Sequence, residues 1–516
     1  MNAALAASTQ RVHELLAAQR AVHADARCVE THISWVLLAG DEAWKIKKPL
    51  KLDFLDFATA PRRRAACEDE LRVNRRTAPQ IYLDVVPVTG GADGPEFGGR
   101  GPVLDWAVHM RRFPAEAELL RMIARGALHA GHIDALARQV AALHAHAARA
   151  TEHGPFGHPE GIEKLALENF APLARTLARV PEGQDVAWLA RWCAAEAKRL
   201  GSAMRARLAG GWVRECHGDL HLGNLLWLDG EAVLFDAIEF DAQLRWIDVV
   251  ADVAFPFVDL RARSLGPLAW RFLNAWLDHT GDHAGLALLP FYASYRALVR
   301  AKVAALRAAV PGDAHANEAA RHVRLARELA QPRERALWLA SGVSGSGKSS
   351  QGQPLIERLG LVALHSDIER KRLFGLAPLA SSAGVVGGIY TSEASARTYA
   401  ELHARARTVL DAGLPVLVDA TFLRGTQRAA FIQLARELHV PCRILAFDAP
   451  EGVLRERVRR RAAAGDDASE ATVEVLARQL AEREPFTQAE CALVIRVDTT
   501  EPVDWARVLP GATISQ

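Results

Sequence analysis

Two stretches of this 516-residue sequence carry side chains whose types and spacing are those of phosphate chemistry. In the first, Gly342, Gly347, Lys348 and Ser349 satisfy G-x-x-x-x-G-K-[ST], between the apolar run ALWLA and a helix-forming segment. Glycines in such a loop let backbone N–H groups turn inward around phosphate oxygens, and the following helix adds the positive end of its dipole. The loop is read as Gly342, Ser344, Gly345, Ser346, Gly347, Lys348, Ser349 and Ser350. Lys348 reaches the β- and γ-phosphates of a nucleotide and the Ser349 hydroxyl binds Mg²⁺, so ATP and Mg²⁺ are the expected ligands. In the second, His217, Asp219, His221 and Asn224 lie in HGDLHLGN, and Asp236 follows in VLFDAIEF. Phosphoryl transfer to a hydroxyl needs a carboxylate to take the proton and oxygen ligands for Mg²⁺. Asp219 suits the first role, and Asn224 with Asp236 the second. His217 is counted with the nucleotide-binding set.

Around the first motif, LVALHSD places Asp367 at the carboxyl end of an apolar run, where open α/β sheets bind ligands. Asp367 is the candidate base for an acceptor hydroxyl, with the N-cap of the next helix as its bland alternative. Arg370 and Arg372 follow and suit an anionic acceptor. Asp419, at the end of the strand in PVLVDAT, suits a carboxylate acting on Mg²⁺ directly or through water, with Thr421 beside it. In LRERVRRRAAAGDD, Arg457 and Arg461 fall at i and i+4 on one helix face. In a mobile lid they would stabilise charge on the transferring phosphoryl group.

The elements that must hold these residues differ between the two halves. Residues 29–57 read as a hairpin turning at Gly40-Asp41 and then an extended segment, 61–78 as a helix, and 81–113 as two strands around the Gly-rich turn GGADGPEFGGRG. An Ala/Leu/Arg/His helical stretch runs to about residue 210, short strands flank the HGDLHLGN loop, and helices continue to about 330. Gln331-Pro332-Arg333-Glu334-Arg335 is the expected boundary, giving domains at 1–330 and 335–516. Beyond it, apolar strands alternate with helices, the pattern of a parallel sheet covered on both faces.

The second half resembles the small P-loop kinases that phosphorylate hydroxyls, the gluconate-kinase-like, polynucleotide-kinase-like and zeta-toxin-like group. The resemblance spans about residues 336–500 and rests on GVSGSGKSS, HSDIERKR, LVDATF and RERVRRR. The first half looks like the aminoglycoside-phosphotransferase-like, protein-kinase-related fold, on HGDLHLGN, KIKKPLKLDFLDF, CEDELRVNRR and FDAIEFD. The whole chain resembles a bacterial fusion of the two. The implied fold is an N-terminal α+β protein-kinase-like bilobal domain followed by a C-terminal α/β P-loop NTPase domain with a parallel sheet. By the same resemblance Lys45, in preference to Lys47 on the same strand face, pairs the α/β-phosphates, with Glu70, or less favourably Glu68, as its partner. Asp248 and Asp252 are then aspartates that buttress the catalytic loop. One departure stands out: no G-x-G-x-x-G precedes Lys45, and GDEAWK is only a tight hairpin.

Composition sets the outer limits. Lys+Arg 63 against Asp+Glu 61 gives a net charge of +2, which offers no basis for general nucleic-acid or membrane binding. A 5′-hydroxyl oligonucleotide remains among the acceptors compatible with the motifs. The six cysteines form no CxxC pair, and no run of about 18 uncharged apolar residues is available to span a membrane. The first 20 residues read as an amphipathic helix rather than a signal peptide, so a cytoplasmic location is expected. The histidines between His129 and His158 read as surface residues rather than metal ligands. The expected activity is ATP-dependent transfer to a hydroxyl of a small molecule, sugar or nucleotide. The competing readings make the N-terminal domain a sensor that regulates one active P-loop kinase, or the P-loop domain a nucleotide switch in a stress-response protein.

Overall fold

The computed structural model describes residues 3–52, 55–91, 94–308, 313–385, 388–464 and 469–509. Its contacts divide the chain into two compact units, residues 1–165 with 197–256, and residues 166–196 with 257–516.

In the first unit, helix α1 (Ala3–Val22) precedes strands β1 (Arg27–Glu30), β2 (Ser34–Ala39) and β3 (Glu42–Lys47). Helix α2 (Ala60–Asn74) follows, then β4 (Tyr82–Gly91), β5 (Gly94–Phe97) and β6 (Val103–Arg111). The strands form one antiparallel sheet in the order β1-β2-β3-β6-β4-β5. Strand alternation assigns its two faces. Trp44 and Ile46 of β3 join Trp35, Leu37, Val12 and Leu15 in one apolar cluster, whereas Ala43 joins Cys67, Tyr82 and Val108 in another. Lys45 and Lys47 therefore share the face that looks onto α2, whose Glu70 and Asn74 fall one turn apart. The run GGADGPEFGGRG is not simply a turn, because Gly94–Phe97 within it pairs with β4 as an edge strand. Asp53, Phe54, Ala92 and Asp93 lie outside the described residues.

The unit continues with α3 (Ala130–His146) and four short strands, β7 (Val213–Glu215), β8 (Leu225–Leu228), β9 (Glu231–Leu234) and β10 (Trp246–Asp248). β7 pairs with β10 and β8 with β9, both antiparallel, and helix α4 (Val249–Ala262) follows. The HGDLHLGN segment is the connection between β7 and β8.

In the second unit, β11 (Leu337–Ser341), β12 (Val362–His365), β13 (Val416–Asp419), β14 (Cys442–Asp448) and β15 (Val494–Asp498) form a parallel sheet in the order β12-β13-β11-β14-β15. The chain crosses to opposite sides of β11, so the carboxyl end of β11 is the switch point at which such sheets bind ligands. Helices α6 (Lys348–Leu359), α7 (Ser366–Leu373), α8 (Ser392–Asp411), α9 (Gly425–Glu437), α10 (Glu451–Ala464) and α11 (Val473–Glu482) connect or flank the strands.

The division between compact units does not fall at residues 331–335. Helix α5 (Gly266–Thr280) lies in the same unit as the parallel sheet and covers its open edge. The Asn274 side chain accepts a hydrogen bond from the Ala363 N–H (2.8 Å) and donates to the Leu361 carbonyl (2.9 Å), so it supplies edge strand β12 with the partners a further strand would give. Arg271 pairs with Glu357 at 2.8 Å, and Arg372 donates to the carbonyls of Leu277 (3.2 Å) and Asp278 (2.6 Å). A polar, Pro-containing connection marks the end of a sequence pattern, but edge protection decides where the fold closes.

Candidate functional site

In the first unit the candidate residues converge from three separate segments. Lys45 Nζ lies 2.7 Å from Glu70 Oε1 and 2.6 Å from Asp236 Oδ1. Burial opposes the charge on Lys45, but Asp236, Glu70 and Glu239 outweigh it and hold the ammonium pKa well above its ordinary value. Glu70 is fully buried, whereas Glu68 is exposed and pairs with Arg64 one turn back. Lys47 is also fully buried and bonds both Glu70 and Glu239.

Asp236 sits in the left-handed region at φ +60°, and its N–H donates to the Tyr82 hydroxyl at 3.2 Å. Asn224 donates its amide to the Asp219 carbonyl (2.9 Å) and to Asp219 Oδ2 (3.4 Å), which leaves its amide oxygen as the atom for a hard cation. His221 Nε2 lies 3.5 Å from Asp219 Oδ2. Behind the loop, Asp252 of α4 accepts the N–H groups of Gly218 (2.9 Å) and His217 (3.1 Å) as well as His144 Nε2 (3.1 Å). Asp248 is gripped by Arg207 at 2.6 and 2.9 Å.

Two assignments need correction here. His217 is not a nucleotide contact: it is 1% exposed, its Nε2 bonds the Phe235 carbonyl (2.9 Å), and its Nδ1 faces the Asp219 N–H (3.4 Å). Burial lowers its pKa, so the neutral ring acts as an internal brace for the loop. Nor are all the histidines of α3 on the surface, since His132 and His144 are buried. His144, Cys216 and Asp252 come close enough for a shared ion, but both Asp252 oxygens already accept protein N–H groups.

In the second unit the phosphate loop runs from β11 into α6. Gly345 and Gly347 have φ near +80°, where a side chain would be strained, and a Cβ on Gly345 would lie 2.7 Å from the Leu454 carbonyl. Lys348 Nζ donates to the carbonyls of Gly342 (2.7 Å) and Val343 (3.2 Å). Ser349 Oγ donates to Asp419 Oδ2 at 2.6 Å, so residues 70 apart form one pair of hard oxygens suited to Mg²⁺. The buried Ser346 hydroxyl has no hydrogen-bond partner among the described residues and lies against Gly342. Ser344 donates its N–H to Gln479 of α11, and Ser350 bonds back to the Gly347 carbonyl.

Ser344, Gly345, Gly347, Lys348, Ser349, Ser350 and Asp419 line a cavity of about 1000 Å³, whose walls also carry Asp278, His365, Asp367, Arg370, Tyr390, Arg424, Arg457, Arg460, Arg461 and Arg478. Asp367 is not on the strand: β12 ends at His365, and Asp367 lies in the first turn of α7, paired with Arg370 at 2.7 Å. Arg372 turns away to the end of α5. Arg457 bonds Thr499 (3.0 and 2.6 Å) and the Gly345 carbonyl (3.4 Å), so it braces the phosphate loop. Arg461 lines the cavity, and residues 465–468 of the proposed lid loop lie outside the described residues. Thr421 pairs with the Tyr399 hydroxyl at 3.3 Å.

His365 and Asp278 were not legible as site residues. His365 Nδ1 lies 3.3 Å from Asp419 Oδ2. Burial opposes its charge, yet Asp278 and Asp419 raise its pKa to about 9 and keep the ring protonated. Asp419 is lowered in turn, against its burial, by His365 and Lys348. A lone His between an apolar strand and a helix gives no signal in sequence, and Asp278 comes from a helix outside the motif region.

A family model described as an AAA domain matches residues 337–486. Among solved structures, a sugar kinase from Janibacter is 20% identical, covering 35% of this chain and 98% of that one, with a TM-score of 0.27. A choline/ethanolamine kinase family protein from Mesorhizobium loti is 14% identical over 59% of this chain and 92% of its own, with a TM-score of 0.33. Uncharacterized proteins of Mycobacterium tuberculosis and Mycobacterium bovis are 31% identical over 474 residues, 92% of this chain and 92% of theirs. That match runs through both the kinase-like region and the P-loop domain, and the chain belongs to the family of these mycobacterial proteins.

Proposed function

We propose that this protein is an ATP-dependent phosphotransferase that moves the γ-phosphoryl group to a hydroxyl of a small molecule, sugar or nucleotide. The observation that carries this reading is one cavity holding Lys348, the Ser349–Asp419 pair and the carboxylate of Asp367. A nucleotide switch needs the first two only; a carboxylate at the acceptor side adds a proton acceptor. In the proposed step the acceptor oxygen gives its proton to Asp367 and forms a bond to the γ-phosphorus, while the bond to the β-phosphate oxygen breaks and ADP leaves. Ser349 and Asp419 would hold Mg²⁺, which neutralises phosphate charge when bound. Lys348 orients the phosphates, and Arg461 adds positive charge from the cavity wall.

The N-terminal site supports a second transfer centre of protein-kinase type, with Lys45 and Glu70 on the phosphates, Asp219 as base, and Asn224 and Asp236 for Mg²⁺. Its short cover favours the alternative in which this domain senses nucleotide and regulates the other. The β2–β3 turn is only Gly40 and Asp41, too short to fold over phosphates as a glycine-rich loop does.

The test is ADP release by the full chain over a panel of sugars, nucleosides, aminoglycosides and 5′-hydroxyl oligonucleotides. Wild type is compared with Lys348→Ala and Asp219→Asn. Acceptor-stimulated turnover lost only with Lys348→Ala makes the P-loop domain the kinase and the N-terminal domain its sensor. Different acceptors lost in different variants establish two activities. Slow turnover that no acceptor stimulates, with nucleotide binding intact, returns the P-loop domain to a switch.

A further inference from the structure

Lys47 has no task in the proposed transfer, yet it is among the largest fully buried side chains of the molecule. A lysine ammonium out of water is costly unless carboxylates surround it. Two do: Glu70 of α2, and Glu239, three residues after Asp236. Glu70 thus serves two lysines at once, Lys45 at 2.7 Å and Lys47 on its other oxygen.

A second bridge runs beside the first. The Asn74 side chain accepts the Ala237 N–H at 2.8 Å and donates to the Glu70 carbonyl at 3.0 Å. The segment Asp236 to Glu239 is therefore tied to α2 through the Lys47 ammonium and through the Asn74 amide. Arg245 fixes it from the other side by donating to the Glu239 carbonyl at 2.9 Å. Asp236, in a left-handed backbone conformation at the start of this tied segment, is the residue whose side chain bonds Lys45.

We propose that Lys47 and Asn74 are positioning residues that latch helix α2 to the Asp236–Glu239 segment, so that the N-terminal nucleotide site is assembled before Mg²⁺-nucleotide arrives. This rests on the reading of Lys45 and Asp236 as nucleotide and metal groups. When Lys45 turns from Asp236 to phosphate, Lys47 keeps Glu70 and Glu239 paired, and α2 has no freed carboxylate to swing outward. The site then binds without the loss of affinity that a partly populated competent state imposes.

The experiment uses the full chain carrying Lys348→Ala, so that binding reports the N-terminal site. Calorimetry measures AMP-PNP affinity with and without Mg²⁺, and amide exchange follows residues 236–239. Lys47→Met alone leaves Glu239 buried and unpaired and threatens the fold, so the main variant is Lys47→Met with Glu239→Gln, which removes both charges. Asn74→Ala is the second variant. The expected result is a melting temperature close to the parent's for the double variant and a lower one for Asn74→Ala, which leaves the Ala237 N–H unpaired, with faster exchange at 236–239 in both and Mg²⁺-AMP-PNP affinity about tenfold lower, the metal-free affinity little changed. Affinity within about twofold of the parent in both variants overturns the latch. So does an equal loss with and without Mg²⁺, which is the mark of general destabilisation. Asp236→Asn serves as the control: if it leaves Mg²⁺-dependent binding intact, the nucleotide reading of this site fails and the latch with it.

Discussion

The two candidate sites hold their lysines by opposite means. Lys45 is held by side chains, the carboxylates of Glu70 and Asp236, which lie 25 and 191 residues away. Lys348 is held by the backbone of its own loop, the carbonyls of residues five and six positions before it. One site is a set of long-range ion pairs inside the fold, and the other is a local turn conformation. The grip on Lys45 depends on segments brought together across the unit, whereas the hydrogen bonds of Lys348 to the Gly342 and Val343 carbonyls stay within its own loop.

The sharpest way to break the comparison is Glu70→Ala. It strips both buried lysines of a partner and should cost about 3–5 kcal/mol of stability, read by urea unfolding. A loss under 1 kcal/mol would mean that the lysines re-pair locally and that the site is less distributed than the distances imply. Next is Lys348→Ala, which should reduce turnover at the P-loop site by about 10²–10³-fold while leaving the melting temperature within a few degrees. A large drop in melting temperature would show that this lysine also holds the fold, and the contrast with Lys45 would collapse.

Asn274→Leu should destabilise the second unit by about 2 kcal/mol, because two backbone groups of β12 lose their partners at a buried edge. Thermal unfolding is the measure, and an unchanged curve would mean that α5 is held by its other contacts, the Arg271–Glu357 pair and the Arg372 bonds among them.

The smallest effect expected is with pH. His365 has a folded pKa raised to about 9, so its contribution is fully present below the unfolded value near 6.5 and is lost as pH rises through 9. In EDTA, wild type should lose more stability than His365→Gln between pH 6.5 and 9.5, by about 1–2 kcal/mol. Parallel pH profiles for the two proteins would remove the protonated His365–Asp419 pair from the account.

The same contrast explains what could be read from sequence. The phosphate loop was legible in full because its residues are contiguous and each glycine answers a backbone demand. Asp419, the partner of Ser349, was legible because it ends an apolar run. The Lys45–Glu70 pair came only through resemblance, since nothing in spacing 25 residues apart distinguishes Glu70 from Glu68; burial does. Lys47 was visible only as the alternative to Lys45, and its pairing with Glu239 and the role of Asn74 gave no signal, because a residue acquires such a role only from neighbours that the fold brings to it. Asp367 was read one element too early, as the helix starts directly after His365 with no loop between them. Arg457 showed its charge but not its partner, Thr499, which lies past the end of β15.

Helix α5 at the sheet edge bears on how such a protein can be cut or inherited. A fragment begun at residue 335, where the sequence pattern changes, would carry every residue of the phosphate loop and still expose the Ala363 amide and the Leu361 carbonyl. An open strand of that kind pairs with the next copy it meets, and the fragment would come out of solution as an aggregate. The piece that keeps this edge covered is therefore longer than the piece that carries the phosphate loop and the parallel strands. The second unit takes the cover of its sheet edge from residues 266–280, a stretch that reads in sequence as part of the first half.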